Sequence, residues 1–282
     1  MINWIRAPKR PDIAKYVESY WLLVKETESE SHQSPKLNPH PESHLILAPQ
    51  AQRYRYDLKS GVKQGLGSHW LFPQVQTLQL DHAHAFLYLG IKFRVGALYS
   101  LAMPSSQPLI DEVEDADLRA LFNEHNLATD EAWVDQHILA IAKDDPEACC
   151  DRLDDYLATW LANNHEDKHS QLTRKVLPLL ATVPIAQLGE TLYCSQRTIE
   201  RSFNRVTGLT LKQCQSMQKL ESLLEYLYQR DKQDIDWVEL AYQFGFSDQP
   251  HLIRYLKSQI GATPNNYVTQ RDLTIDVYGG VE

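Results

Sequence analysis

The chain has 282 residues, 43% apolar and 23% charged, with a net charge of −9, so it is long enough to bury the cores of about two domains. No apolar run approaches the roughly 18–20 residues that cross a bilayer, and the start lacks the charged-then-apolar pattern of a signal peptide, so the expected location is the cytoplasm. Cys149, Cys150, Cys194 and Cys214 have no CxxC spacing, which argues for reduced thiols over a disulfide framework.

Residues 1 to about 125 read as short strands and turns. Segments 44–48, 54–57, 75–80 and 85–93 are rich in β-branched or aromatic residues, and Pro49, Gly61, Gly65, Gly67 and Pro73 punctuate them. A small barrel or sandwich fits this spacing. Trp4, Tyr16, Tyr20 and Trp21 read as core packing ahead of a ligand pocket. Arg53, Arg55, Lys92 and Arg94 either bind an anionic effector or balance nearby acids. The acidic run 111–117 reads as the solvated start of a helix, since carboxylates favour helix N-termini. From about 116 to 164 the pattern is helical, carried by Leu118, Leu121 and Phe122, then Trp133, Ile138 and Ile141, then Leu153, Tyr156, Leu157, Trp160 and Leu161. A break falls at Asp144-Asp145-Pro146, because proline suits a helix start. The polar stretch 163–168 reads as a linker.

Beyond it come two similar units. The first has an apolar helix over 185–192, then Ser195, Arg197, Ile199, Arg201 and Phe203, and a stop at Gly208. The second has 237–244, then Ser247, His251, Leu252, Arg254 and Leu256, and a stop at Gly261. Each serine is expected to cap a second helix by accepting from an unpaired backbone N–H. Arg197 and Arg201 are four apart and share one side of that helix. Gly189 and Ala241 are small where two helices must approach closely. The serines are 52 residues apart and the stop glycines 53, which places one extra residue in the second unit's later helix or its exit. Leu211, Cys214, Met217, Leu220, Leu224 and Leu227 recur at helical spacing and predict a joining helix over 211–229. The charge divides unevenly: residues 168–282 hold 13 Lys/Arg against 12 Asp/Glu, and residues 1–167 hold 15 against 25. Between 195 and 219, Arg197, Arg201, Arg205, Lys212 and Lys219 face only Glu200, and local charge is what attracts phosphate.

The stretch from about 171 to 271, above all Gly245-Phe246-Ser247-Asp248-Gln249-Pro250-His251-Leu252 with Arg254, Lys257, Gly261, Thr263-Pro264 and Tyr267, resembles the DNA-binding domain of the AraC/XylS family of bacterial transcription regulators. The resemblance implies seven helices, with one long helix joining two helix-turn-helix subdomains. Three positions depart from the family pattern: Tyr193 stands where a turn glycine is usual, Pro250 where a polar side chain is common, and Val268 where a basic residue is frequent. A looser resemblance links 89–97 and 16–21 to the cupin-like N-terminal domains of some members, implying a sensing or dimerising role. In such a barrel His82 and His84 would share a face and offer two metal ligands. No Glu follows them within a few residues, where Tyr88 and Lys92 come instead, and His40, His44 and His69 are not spaced to complete a site, so neither metal, cofactor nor enzymatic activity is expected.

The expected architecture is α+β. A β-rich cupin-like barrel or sandwich occupies 1–125, a helical connector and linker 126–167, and an all-α domain of two helix-turn-helix subdomains 168–282. The expected function is sequence-specific transcription regulation under a small-molecule effector or partner. The alternatives are a metal-dependent cupin enzyme, or a ligand-free protein-interaction adaptor, fused to a DNA anchor. The first recognition helix, 195–205, would offer Gln196, Arg197 and Arg201 to DNA, and the second, 247–259, Gln249, His251 and Arg254. Arg205, Lys212 and Lys257 would hold phosphates. Expected partners are double-stranded DNA, an effector, RNA polymerase and a second copy of the chain, without a membrane.

Overall fold

Alternation with apolar residues on both faces means strands buried on both sides, and the N-terminal half is built that way. The computed structural model describes residues 2–26, 34–101, 105, 107–118, 134–161, 164–230, 235–261 and 263–264. The expectations at Leu121, Phe122, Trp133, Tyr267 and Val268 lie outside these residues. Among them, ten strands form two antiparallel sheets. The first has the order β1 (Ile2–Arg6), β2 (Val17–Lys25), β9 (Phe86–Phe93), β4 (Ser43–Leu47), β7 (His69–Leu71), β10 (Val113–Asp115). The second has the order β3 (Lys36–Leu37), β8 (Leu78–Leu80), β5 (Arg53–Leu58), β6 (Gly61–Leu66).

Strand β9 shows how the faces divide. Leu89, Ile91 and Phe93 join an outer core with Trp70, Leu153 and Leu157, whereas Phe86 and Tyr88 join a lumen core with Trp21, Ile46, Tyr56 and Leu71. After the short helices α1 (Pro11–Ala14) and α2 (Ala97–Leu101), α3 (Ala140–Asp144) ends at the expected Asp145-Pro146 break, and α4 (Pro146–Leu161) covers the outer core. Trp4 donates its indole N–H to the Ala142 carbonyl (2.8 Å). The buried Asp154 carboxylate accepts from Tyr20 Oη (2.6 Å) and from the backbone N–H groups of Lys9 and Arg10 (2.9 Å each), pinning the chain's first turn to α4. The lumen is packed solid: a Cβ on Gly90 would lie 1.9 Å from the Trp21 ring.

Several local expectations are corrected. The acidic run is not a helix start: Val113–Asp115 is an edge strand, Asp115 accepts from the Tyr54 hydroxyl and Glu112 pairs with Lys63, so burying Val113 overrides the carboxylates' helix preference. Gly61 opens β6 at its hairpin with β5, as a punctuating glycine should, but Gly65 lies within the strand rather than bounding it. Gly65 is needed there because a Cβ would come 2.4 Å from the Tyr54 hydroxyl. His82 and His84 precede β9 in a loop, so pleating does not place them on one face; His82 is buried against Phe86, while His84 lines a surface cleft.

The C-terminal half is helical: α5 (Lys168–Val176), α6 (Leu188–Thr191), α7 (Gln196–Thr207), α8 (Leu211–Tyr228), α9 (Trp237–Gln243) and α10 (Gln249–Ile260). The joining helix α8 matches the expected span to within one residue. Its first half packs with Val176, Leu188, Ile199 and Phe203, its second half with Leu240, Leu252 and Leu256. The architecture is α+β, with antiparallel sheets first and helices after.

The polar stretch before α5 is held at both sides. Asp167 caps α5 by accepting from His169 and Ser170 N–H and also accepts from the Tyr99 hydroxyl. Glu166 accepts from Tyr16 Oη (2.8 Å) and pairs with Arg174 and Lys15. Burial pushes this carboxyl up, but Arg174, Tyr16 and Ser170 outweigh it and hold it down at about 2.

Candidate nucleic-acid interface

Each unit is a short helix, a left-handed turn and a capped second helix. In the first, Ser195 is the N-cap of α7 and accepts from Thr198 N–H (3.2 Å), as expected. Gly189 is small for the predicted reason, because a Cβ would sit 3.0 Å from the Cys194 carbonyl. In the second unit the cap is Asp248, which accepts from His251 N–H (2.7 Å), and the Ser247 hydroxyl meets His251 Nδ1 (3.2 Å) instead. Both recognition helices have 12 residues and end on a left-handed glycine. The extra residue of the second unit therefore lies in its turn, between Gly245 and Asp248, and not in the helix or its exit. A carboxylate one step later caps as well as a serine, so the helix starts there. Pro250 falls in the first turn of α10, where a missing N–H leaves nothing unpaired.

The turns are stereochemical equivalents with different residues. Gly245 has φ +67° and Tyr193 has φ +49°. A side chain in this region is disfavoured by about 1–2 kcal/mol. Tyr193 is 97% exposed and contributes little packing in return. Tyr193→Gly is therefore expected to stabilise the protein by up to about 1 kcal/mol, part of the relief being offset by glycine's freedom when unfolded. A thermal midpoint that falls would show that Tyr193 makes a compensating contact.

The predicted contact residues divide into two groups. Arg197, Arg201, Lys212, Arg254 and Lys257 are exposed, and among the described residues no hydrogen bond or ion pair holds them. They sit on the outer sides of α7, α8 and α10, whose opposite sides bury Ile199, Phe203, Leu252 and Leu256. The others are engaged within the protein. Gln196 is half-buried and donates to Glu200 (2.9 Å), and Gln249 is half-buried. The exposed His251 has its ring edge-on to Phe246, 5.2 Å between centroids. Arg205 donates through Nε to the Tyr99 hydroxyl (3.0 Å), across to the barrel half. Lys219 also turns inward, its ammonium 3.7 Å from the Phe246 ring centroid, and burial lowers its pKa.

On the barrel side, the four proposed effector cations are not brought together. Arg53 and Arg55 line an open cleft of about 810 Å³ beside Tyr54, Phe86 and Tyr88, with Arg55 paired to Asp57. Arg94 donates to the Ala14 carbonyl, and Lys92 is buried among acids. His40, His44 and His69 are fully buried, and desolvation lowers all three: His40 and His69 to about 4, His44 well below the ordinary value. Among the described residues, no three His, Cys, Asp or Glu side chains are grouped to hold a metal ion, and no helix is long and apolar enough to cross a membrane.

What sequence reasoning missed is the polar ring around the buried Lys92: the buried Glu42, His40 and His44, and the partly exposed Glu18 and, from α8, Glu221. The 40–42–44 alternation was a signal for the first part of it. Nothing local in the sequence points to Glu221.

Residues 188–270 match the family described as helix-turn-helix domain. No curated relative matches the chain. Among solved structures, the chain is similar to ToxT from Vibrio cholerae O395 at 10% identity and a TM-score of 0.49, covering 90% of this chain and 98% of that one. It is similar to unsaturated fatty acid-bound wild-type ToxT from Vibrio cholerae strain SCE256 at 9% and 0.44, covering 88% and 95%. It is also similar to the C-terminal domain of AraT, a response regulator from Geobacillus stearothermophilus, at 18% and 0.33, covering 37% and 89%. With two capped units on one joining helix and a family match running across them, residues 188–270 form a helix-turn-helix domain.

Proposed function

We propose that this protein is a sequence-specific DNA-binding transcription regulator, controlled through its N-terminal half by a small-molecule effector or a partner. The division at 1–125, 126–167 and 168–282 is part of this reading, as are RNA polymerase and a second copy of the chain as further partners. The observation that carries it is the pair of capped, equal-length recognition helices whose outward arginines have no hydrogen bond or ion pair among the described residues. Arg197, Arg201 and Arg254 reach base edges, most naturally guanine O6 and N7, while Lys212 and Lys257 hold phosphates and fix register. Gln196, His251 and Arg205 contribute once their internal contacts exchange for DNA, and Gln249 contributes from its half-buried place in the first turn of α10. The two helices meet major-groove segments about one turn, or roughly 34 Å, apart. The open cleft beside Tyr54 and Tyr88, lined by Arg53 and Arg55, is where an effector binds.

Selecting bound sequences from random DNA with the full-length chain tests the reading, and failure to enrich any sequence would end it. With the selected site in hand, Arg254→Ala is expected to cost about 1–3 kcal/mol and to relax preference at one or two base pairs. Lys257→Ala should instead weaken all sequences alike and flatten the salt dependence. Equal losses on selected and random DNA for Arg254→Ala would reassign it to the backbone. A metabolite screen for thermal stabilisation addresses the effector.

A further inference from the structure

Lys92 sits on the lumen face of β9, in register with His44 of β4, and its side chain is 4% exposed. Its ammonium lies 3.2 Å from Glu18 of β2 and 3.6 Å from Glu221 of the joining helix α8. A third carboxyl within its field, Glu42, is buried just before β4, with Oε2 lacking any hydrogen-bond partner. One cation therefore faces three carboxyls, two from the barrel and one from the DNA-binding half. The same seam touches both recognition helices at their C-terminal ends. A Cβ on Gly96 would come within 2.7 Å of Val206 of α7, and Thr77 donates its hydroxyl to the Gln259 carbonyl of α10. Their outer faces, with Arg197 near the start of α7 and Arg254 midway along α10, stay exposed.

We propose that Lys92 is a positioning residue for DNA recognition: by holding Glu221 it seats the joining helix, and with it both recognition helices, on the barrel in one orientation. This rests on the DNA-binding reading above. A pair between a buried ammonium and part-exposed carboxyls sets geometry more than it adds stability, since desolvating Lys92 offsets much of the attraction. With three carboxyls around one ammonium, the seated arrangement also retains a proton. Burial raises Glu42 to about 8 and raises Glu221, with Lys92 opposing both shifts and the neighbouring carboxylates reinforcing them. Burial alone would lower Lys92, but Glu42, Glu18 and Glu221 outweigh it and keep it charged. The other groups facing the cluster are His40 and His44, held neutral by burial, Cys214 of α8, whose thiol burial pushes up, and Glu225 beside Glu221.

The direction follows from linkage. A carboxyl raised on seating means that seating takes up a proton, so its contribution is complete below the ordinary carboxylate range and is lost as pH rises through about 8. Above that, Glu42 and Glu221 are both ionised beside one ammonium and the helix is pushed off. The test uses the full-length chain at constant ionic strength from pH 6.5 to 9. It measures amide exchange of segments 38–44 and 217–224 without DNA, and separately the affinity for the selected operator. Exchange protection, corrected for the intrinsic base-catalysed rate, is expected to fall by up to about tenfold per pH unit from pH 6.5 towards 8 and to level off above it, with affinity falling in parallel. Glu42→Gln imitates the protonated acid and should flatten both profiles. Lys92→Met should lose protection at every pH, Lys92→Arg should restore part of it, and Glu18→Gln, which touches only the barrel side, should leave the helix seated. A flat wild-type profile, or one unchanged by Glu42→Gln, overturns the seating role. Protection that follows the expected pattern while affinity for the operator stays constant overturns the positioning role. Protection that follows it while no DNA sequence is enriched faults the DNA-binding reading and leaves the seating intact.

Discussion

Arg197→Ala combined with Arg201→Ala is expected to reduce affinity for the selected site by about 2–6 kcal/mol, because each bidentate arginine–guanine contact contributes about 1–3 kcal/mol of discrimination. Both side chains are exposed on α7, and its buried face of Ile199 and Phe203 is untouched, so circular dichroism and the thermal midpoint should stay nearly unchanged. The measurement is a titration of selected and scrambled duplexes at one salt concentration. The loss on the scrambled duplex should be smaller, reflecting only two missing positive charges. A loss below about threefold on the selected duplex would remove α7 as a reading helix and leave recognition to α10.

Gly90→Ala is expected to cost at least about 3 kcal/mol, at the upper end for overpacking, because its methyl group would stand 1.9 Å from the Trp21 ring. Rotating the indole away is opposed by its hydrogen bond to His44 Nδ1 (3.3 Å) and by the lumen residues packed behind it. Adding Trp21→Phe should recover part of the loss by making room, and denaturant midpoints of the single and double variants measure both effects. If Gly90→Ala alone is tolerated within about 1 kcal/mol, the lumen has slack and is not the solid core described above.

The helix-turn-helix units were legible because what makes them is local. Caps, stop glycines and apolar spacing all act within a dozen residues, and they located α7, α8 and the turn at Tyr193. The one error there, the place of the extra residue, arose because Ser247 and Asp248 both suit a cap and the residue pattern does not choose between them. The barrel was less legible. β9 announced itself by length, but β2 was read only as an aromatic cluster, and β6 was obscured because Gly65, inside it, read as a boundary like Gly61. Gly65 is in a strand for a reason visible only across the pair, the Tyr54 phenol opposite it. The Val113–Asp115 edge strand failed for a similar cause, since pairing with β7 and burial of Val113 overrode a strongly charged local composition. Lys92 was the hardest case. In isolation a lysine in a strand reads as a surface charge, and only docking of Glu221, some 130 residues later, gives it a partner from the other half.

The strand order of the larger sheet carries a consequence for how the chain reaches its fold. β2 finds its neighbour β9 only after about 60 intervening residues, and β4 completes the pairing from the other side of β9. Long loops must close before those pairings return any free energy, which makes the barrel the slow-folding half. The helices of the C-terminal half depend on near neighbours and should form within the faster range. A growing chain therefore exposes the apolar faces of β2 and β4 until β9 has been made. The exposed time of these strands, rather than the stability of the finished barrel, should set the yield of folded protein at high temperature or rapid synthesis.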